Sequence, residues 1–178
     1  MDRSPVRPHV FLIGFRGAGK TTVGRLLARR LGARFVDVDD VIAKRTGRPA
    51  GEILARFGEP EFRRIEATAL ESAVRGSAAL IATGGGVVTR AANRAVLRRT
   101  GLVVWLRVGA AETVRRLARG RSRPALTTLS PAAEARLLLK RRAPLYRSAA
   151  DVAIRCGADS PNRLADRIAR LVHRARDR

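Results

Sequence analysis

Eight residues near the start of the chain, Gly14-Phe15-Arg16-Gly17-Ala18-Gly19-Lys20-Thr21, constrain the fold more than any other stretch. They fit G-x-x-x-x-G-K-[ST], a glycine loop whose backbone N–H groups wrap the phosphates of a nucleoside triphosphate. Such a loop needs a strand before it and a helix after it, and both flanks are present. Val10-Phe11-Leu12-Ile13 reads as a buried strand, and residues 20–31 carry helical spacing. The helix start adds its own partial positive charge. Gly17, Ala18, Gly19, Lys20, Thr21 and Thr22 are the candidate ATP contacts. Lys20 is expected to reach the β- and γ-phosphates, and Thr21 to ligate Mg²⁺.

The rest of the chain repeats this alternation. Apolar runs at 9–14, 34–37, 79–83, 102–108 and 151–155 read as five strands. Residues 20–31, 39–46, 50–57, 60–75, 90–98, 111–119, 131–146 and 162–174 read as helices. Alternating strands and helices predict a parallel sheet covered on both faces, a three-layer α/β/α fold. At 178 residues and 46% hydrophobic content, the chain suits one domain with a substantial core, predicted over 9–178. Residues 1–8 hold charge and two prolines and are expected to form a short loose tail rather than a signal peptide. No apolar stretch approaches the ~20 residues of a membrane span. Cys156 is the only cysteine, which excludes an internal disulfide and a cysteine-built zinc site and suits a reducing cytoplasm.

The net charge of +22 invites a nucleic-acid reading. However, 37 basic residues include only three lysines, Lys20, Lys44 and Lys140, so the excess is arginine, the pattern of a GC-rich genome. The arginines are scattered over most of the predicted helices, and aromatic content is 4%, which leaves few stacking platforms. Weak attraction to polyanions is expected from charge alone, without a specific nucleic-acid partner.

In a parallel sheet, ligands sit at the carboxyl ends of the strands. After the second strand comes Asp37-Val38-Asp39-Asp40, whose first and third residues share a side if the strand continues. One carboxylate there can orient the Mg²⁺ shell through water and the other can take a proton from a substrate hydroxyl; alternatively, Asp39 caps the next helix. The third strand ends in Thr83-Gly84-Gly85-Gly86, where a backbone can approach a ligand closely, or simply turn. Between these strands, Arg63 and Glu66 lie three apart on a helix, so Glu66 can hold the guanidinium toward an anionic substrate or form an ordinary solvated pair. Residues 119–128 are rich in arginine and glycine and read as a lid, or as a plain basic loop. Arg141-Arg142-Ala143-Pro144-Leu145-Tyr146 is expected near a helix end, where the basic pair can bind a carboxylate or complement the helix dipole.

Taken together, the ordered motifs resemble the shikimate kinases, small P-loop kinases of aromatic amino-acid biosynthesis. The resemblance runs from about Val10 to Tyr146. It includes GFRGAGKTTVG, the D-x-D at Asp37 and Asp39, and G-E-x-x-F-R-x-x-E from Gly58 to Glu66. It also includes G-G-G at 84–86, R-P-x-L from Arg123, and R-x-P-L-Y from Arg142. The resemblance implies a nucleoside-monophosphate-kinase-like fold with strand order 2-3-1-4-5. It implies transfer of the ATP γ-phosphoryl group to the 3-hydroxyl of shikimate, with Mg²⁺ as cofactor, in a cytoplasmic monomer. It makes Asp39 the base and hydroxyl contact, Arg63 and Arg142 the grip on the substrate carboxylate, and Gly84, Gly85 and Gly86 further substrate contacts. Lys20 and Arg123 become catalytic, with Arg123 on a lid over about 119–130. Arg116 becomes the adenine-stacking residue, Thr21 the direct Mg²⁺ ligand and Asp37 its outer-shell partner.

One stretch departs from that pattern. Arg155-Cys156 stands where the family carries an Asp-Thr-like pair in its adenine loop, although Pro161 falls where a proline is expected. A kinase of another small hydroxy acid such as gluconate, and a basic ATP-dependent nucleic-acid-binding protein, are the alternatives. A nucleoside monophosphate kinase suits Asp39, Arg63, Gly85 and Arg142 less well than a carboxylated polyol does.

Overall fold

The computed structural model describes residues 9–118, 126–157 and 159–176. The tail expected at 1–8 and residues 119–125, Arg123 among them, lie outside these. The first strand, β1 (His9–Ile13), is buried at every position. Alternate side chains feed opposite faces: Val10 and Leu12 enter one core, and Phe11 and Ile13 the other. A strand buried on both sides must lie inside a sheet, and β1 pairs in parallel with β3 (Ala79–Ala82) and β4 (Gly101–Arg107). With β2 (Arg34–Asp37) beyond β3 and β5 (Val152–Arg155) beyond β4, the order is β2-β3-β1-β4-β5, as expected.

Helices α1 (Lys20–Arg30) and α7 (Pro161–Arg176) cover one face through Val23, Leu27, Leu164 and Ile168. Helices α2 (Val38–Thr46) and α3 (Ala50–Val74) cover the other through Ile42, Ile53 and Leu70. Each such side chain removed from water contributes roughly 1.5–3 kcal/mol. The remaining helices, α4 (Ala91–Thr100), α5 (Ala110–Ala118) and α6 (Pro131–Ala149), fill the crossovers. His9 ties β1 to its neighbours: the Ala79 N–H donates to Nδ1 at 3.2 Å, leaving Nε2–H to donate to the Val74 carbonyl at 3.2 Å. No described helix is long and apolar enough to cross a membrane.

Two local expectations change and a third holds. The second strand stops at Asp37, because the Asp37 carboxylate caps α2 by accepting from the Asp39 N–H at 3.0 Å. Asp39 therefore stands in the first turn of a helix, not on a strand face beside Asp37, and the cap is Asp37. The break expected between residues 57 and 60 is present: Gly58, with φ 78° and ψ 174°, is non-helical and divides the span of α3 into two helical segments. Helix α6 runs on to Ala149, so Arg142 is mid-helix and buried while Arg141 is exposed. One arginine faces solvent and the other the interior, and they do not act as a pair at a helix end.

Beyond β5, Cys156 is buried and donates to the Ile154 carbonyl. Burial pushes its thiol up from 9.0 to about 11. The folded value exceeds the unfolded one, so this contribution is intact below pH 9 and is lost as pH rises toward 11. The loss amounts to roughly 2–3 kcal/mol. Urea midpoints at pH 8 and pH 11 should therefore differ more in the wild-type chain than in Cys156→Ala.

Candidate functional site

All five strands are parallel, so their carboxyl ends lie along one edge. From β1 the chain moves outward to β2 and β3, then crosses to β4 and β5. The edge above β1 is the point where the direction reverses, and a crevice opens there. Its main cavity, about 260 Å³, is lined by Arg16, Gly17, Gly19, Lys20, Thr21, Thr22, Asp39, Thr83, Gly84, Gly85 and Leu117. Most of the residues expected at a triphosphate therefore share one wall.

The loop geometry follows from its glycines. Gly17 and Gly19 have φ of 77° and 88°, which residues with a Cβ rarely adopt. Gly19 caps α1 in that left-handed conformation, with no side chain over the first N–H groups of the helix. Lys20 folds back, its Nζ donating to the carbonyls of Gly14 at 2.8 Å and Phe15 at 2.9 Å. Ala18 is buried beneath the loop, and its N–H donates to the Phe15 carbonyl. Thr21 Oγ1 donates to Asp37 Oδ2 at 2.7 Å, which brings a hydroxyl and a carboxylate oxygen together beside the cavity. Oxygen donors of this kind suit a hard divalent cation that keeps several waters. Arg116, on α5, bonds Glu112 and donates from Nη1 to the Gly17 carbonyl at 3.2 Å, so its guanidinium lies against the loop.

A second cavity, about 30 Å³, shares Arg16 and Gly85 with the first and adds Leu54, Phe62, Arg63, Gly86, Leu126 and Arg142. The kink at Gly58 starts the helical segment that carries Glu59, Arg63 and Glu66. Arg63 Nη1 donates to Glu66 Oε2 at 2.7 Å, while Nε and Nη2 donate to Glu59 Oε1 at 3.1 and 2.8 Å. Arg142 Nη2 lies 3.8 Å from the same Glu59 oxygen. Glu66 is fully buried, so its pair with Arg63 is not the solvated kind. Burial pushes the Glu66 carboxyl upward, against the pull of Arg63. Burial works against the Arg63 charge, but Glu66 and Glu59 outweigh it and hold the guanidinium above its ordinary value. Burial lowers Arg142.

Gly86 makes room for this cluster: a Cβ there would come within 2.0 Å of Arg63 Nη2. Gly84 backs onto Glu66 Oε1, which is buried without a hydrogen-bond partner among the described residues. The Gly85 carbonyl accepts from the Tyr146 hydroxyl and from Arg142 Nη1 at 3.4 Å. Tyr146 is itself stacked on Trp105, at 5.4 Å between ring centroids.

Sequence reasoning missed four members of this site: Glu59, the Tyr146 hydroxyl, Arg16 as a shared wall, and Glu134, which pairs with Arg16. Glu59 was visible in principle, four residues before Arg63 on one helix face. The other contacts join residues far apart in the chain and leave no local signal.

The family model for shikimate kinase matches residues 16–173. A shikimate kinase of Corynebacterium efficiens is 40% identical over 171 residues, covering 96% of this chain and 98% of that one. One of Bordetella avium is 43% identical over 154 residues, covering 85% and 74% respectively. Among solved structures, a shikimate kinase from Acinetobacter baumannii in complex with shikimate superposes with a TM-score of 0.89. It is 38% identical and covers 96% of this chain and 95% of that one. A gluconokinase from Sinorhizobium meliloti shares the fold at a TM-score of 0.59 and 16% identity.

The Arg63–Glu66 pair gives a direct stability test. Glu66→Ala leaves Arg63 buried without its closest counter-ion and should cost roughly 3–5 kcal/mol, read as a fall in the urea midpoint. Arg63→Met with Glu66→Leu removes both charges and should recover a large part of that loss.

Proposed function

We propose that this chain, which belongs to the shikimate kinase family, transfers the γ-phosphoryl group of ATP to the 3-hydroxyl of shikimate, giving shikimate 3-phosphate and ADP. Its class, an ATP-dependent phosphotransferase with an alcohol acceptor, follows from that membership. One observation carries the choice of acceptor. The Arg63 and Arg142 pocket shares two walls with the phosphate cavity, so an acid-binding site adjoins a phosphoryl donor site. The relative solved with shikimate bound supports the same reading.

In this reading the glycine loop and the start of α1 hold the triphosphate, with Gly17, Ala18, Gly19, Lys20, Thr21 and Thr22 in contact with it. Arg63 and Arg142 take the substrate carboxylate, the task a planar guanidinium fork suits best. Gly84, Gly85 and Gly86 bring backbone close to the ring. Asp39, on the wall of the phosphate cavity, accepts the proton of the 3-hydroxyl as its oxygen attacks the γ-phosphorus in line. Lys20 neutralises charge on the transferred group, joined by Arg123, which lies outside the described residues. Catalysis then rests on positioning and charge neutralisation. Thr21 would hold Mg²⁺ directly, with Asp37 in the outer shell, and the bound ion would supply further neutralisation of the phosphates. Arg116 stacks on adenine. The enzyme works as a single-domain cytoplasmic monomer with no specific nucleic-acid partner; of the lid expected over about 119–130, residues 119–125 lie outside the described residues.

Coupled ADP release measures the activity. With Mg²⁺ and ATP, shikimate should support turnover and gluconate should not; the reverse pattern defeats the assignment. Arg142 is the better arginine to remove, because its counter-ion contact is long. Arg142→Ala should raise KM for shikimate about 100-fold and leave KM for ATP within about threefold, the separation expected when a charged contact to one substrate is lost. Asp39→Asn should keep both KM values close to wild type and lower kcat by roughly 10²–10⁴. A kcat within tenfold of wild type would remove Asp39 from the role of base.

A further inference from the structure

Glu134 lies in the first turn of α6 with only 2% of its surface exposed. A carboxylate buried to that degree needs partners for both oxygens. Oε1 pairs with Arg16 of the phosphate loop. Oε2 accepts three donors: the Leu126 N–H at 2.8 Å, the Thr127 N–H at 2.7 Å and the Thr127 hydroxyl at 3.0 Å. The two ends of this link belong to different parts of the site. Arg16 walls both cavities, and Leu126 walls only the one that holds Arg63 and Arg142. One carboxylate therefore joins the donor loop to the side of the acceptor pocket that no strand supports.

We infer that Glu134 is a positioning residue that couples the two halves of the site, so that order imposed on the phosphate loop by nucleotide is passed to the Leu126 wall. The physical basis is rigidity. The three donors on Oε2 hold Leu126 and Thr127 only as well as Glu134 itself is held, and Arg16 is its charged partner. Nucleotide that orders the loop orders Arg16 and, through it, the carboxylate. By reciprocity, acceptor binding against Leu126 favours the loop conformation that binds nucleotide. Assigning the cavities to donor and acceptor rests on the function proposed above; the coupling itself does not depend on which acid is the acceptor.

The test uses the full chain with ADP and Mg²⁺ and no acceptor. Amide hydrogen exchange is followed at Leu126 and Thr127, with ADP at saturation for each variant. In the wild type, ADP should slow exchange at both amides at least fivefold. Glu134→Gln keeps an acceptor oxygen but loses the ion pair, and the ADP response should vanish while exchange in β1 and β4 stays as in the wild type. A role confined to stability would speed exchange without removing the response to ADP. If Glu134→Gln does not fold, Arg16→Met is measured in the same way, since it cuts the loop end of the link and leaves Glu134 with its three donors. Kinetics supply the second readout: KM for shikimate should rise about tenfold in Glu134→Gln. An ADP response that persists in the variant, or that is absent from the wild type, overturns the inference. Failure of shikimate to turn over in the wild type overturns the proposed acceptor and leaves the exchange result standing.

Discussion

The burial of β1 on both faces is the constraint on which the rest of the molecule depends. Five consecutive residues without a polar side open to water can lie only between two other strands, with a helical layer above and below. That requirement puts the residue after Ile13 at the reversal point of the sheet. The carboxyl end of β3 lies on one side and that of β4 on the other. The glycine loop, the Thr83–Gly86 turn and the Trp105–Tyr146 stack meet there because the strands that carry them are neighbours of β1. The site is thus a product of strand order before it is a product of any one side chain.

The donor half of the site was legible in the sequence because its chemistry is local. Gly17, Gly19, Lys20 and Thr21 lie within five residues, and their spacing encodes their geometry. The acceptor half was legible only in pieces. The three-residue spacing of Arg63 and Glu66 announced a pair, but only the packed core shows that the pair is buried. Asp37 and Asp39 were read on one strand face, and the structure separates them because a carboxylate next to a free helix N-terminus is drawn into capping it. Arg142 was expected at a helix end, yet α6 continues for two turns beyond it, carried by burial of Tyr146 and Ala149. Contacts that join distant parts of the chain, such as Arg16 with Glu134 or Tyr146 with Gly85, have no local pattern to betray them.

The two halves are also built from different materials. Around the glycine loop, the chain offers main-chain groups and one lysine that rests on its own loop carbonyls. Around the acid pocket, it offers long charged side chains held by other charged side chains, with an aromatic stack behind them. The first arrangement offers main-chain groups rather than side-chain shape. The second is sensitive to shape, since each guanidinium can turn only as far as its carboxylate partners and Gly86 allow.

That second arrangement has a consequence for a chain carrying a net charge of +22. Arg63 and Arg142 stand with Glu59 and Glu66, so this inner cluster is formally neutral. Glu59, with 45% of its side chain exposed, is the least buried member. A neutral clamp exerts little standing pull on the phosphates, sulfates and nucleic acids that crowd a strongly basic surface. On the proposed reading, the substrate carboxylate takes the place of Glu59, whose Oε1 alone accepts from Arg63 and lies 3.8 Å from Arg142. On that reading the pocket admits its occupant by substitution, with Glu59 as the placeholder.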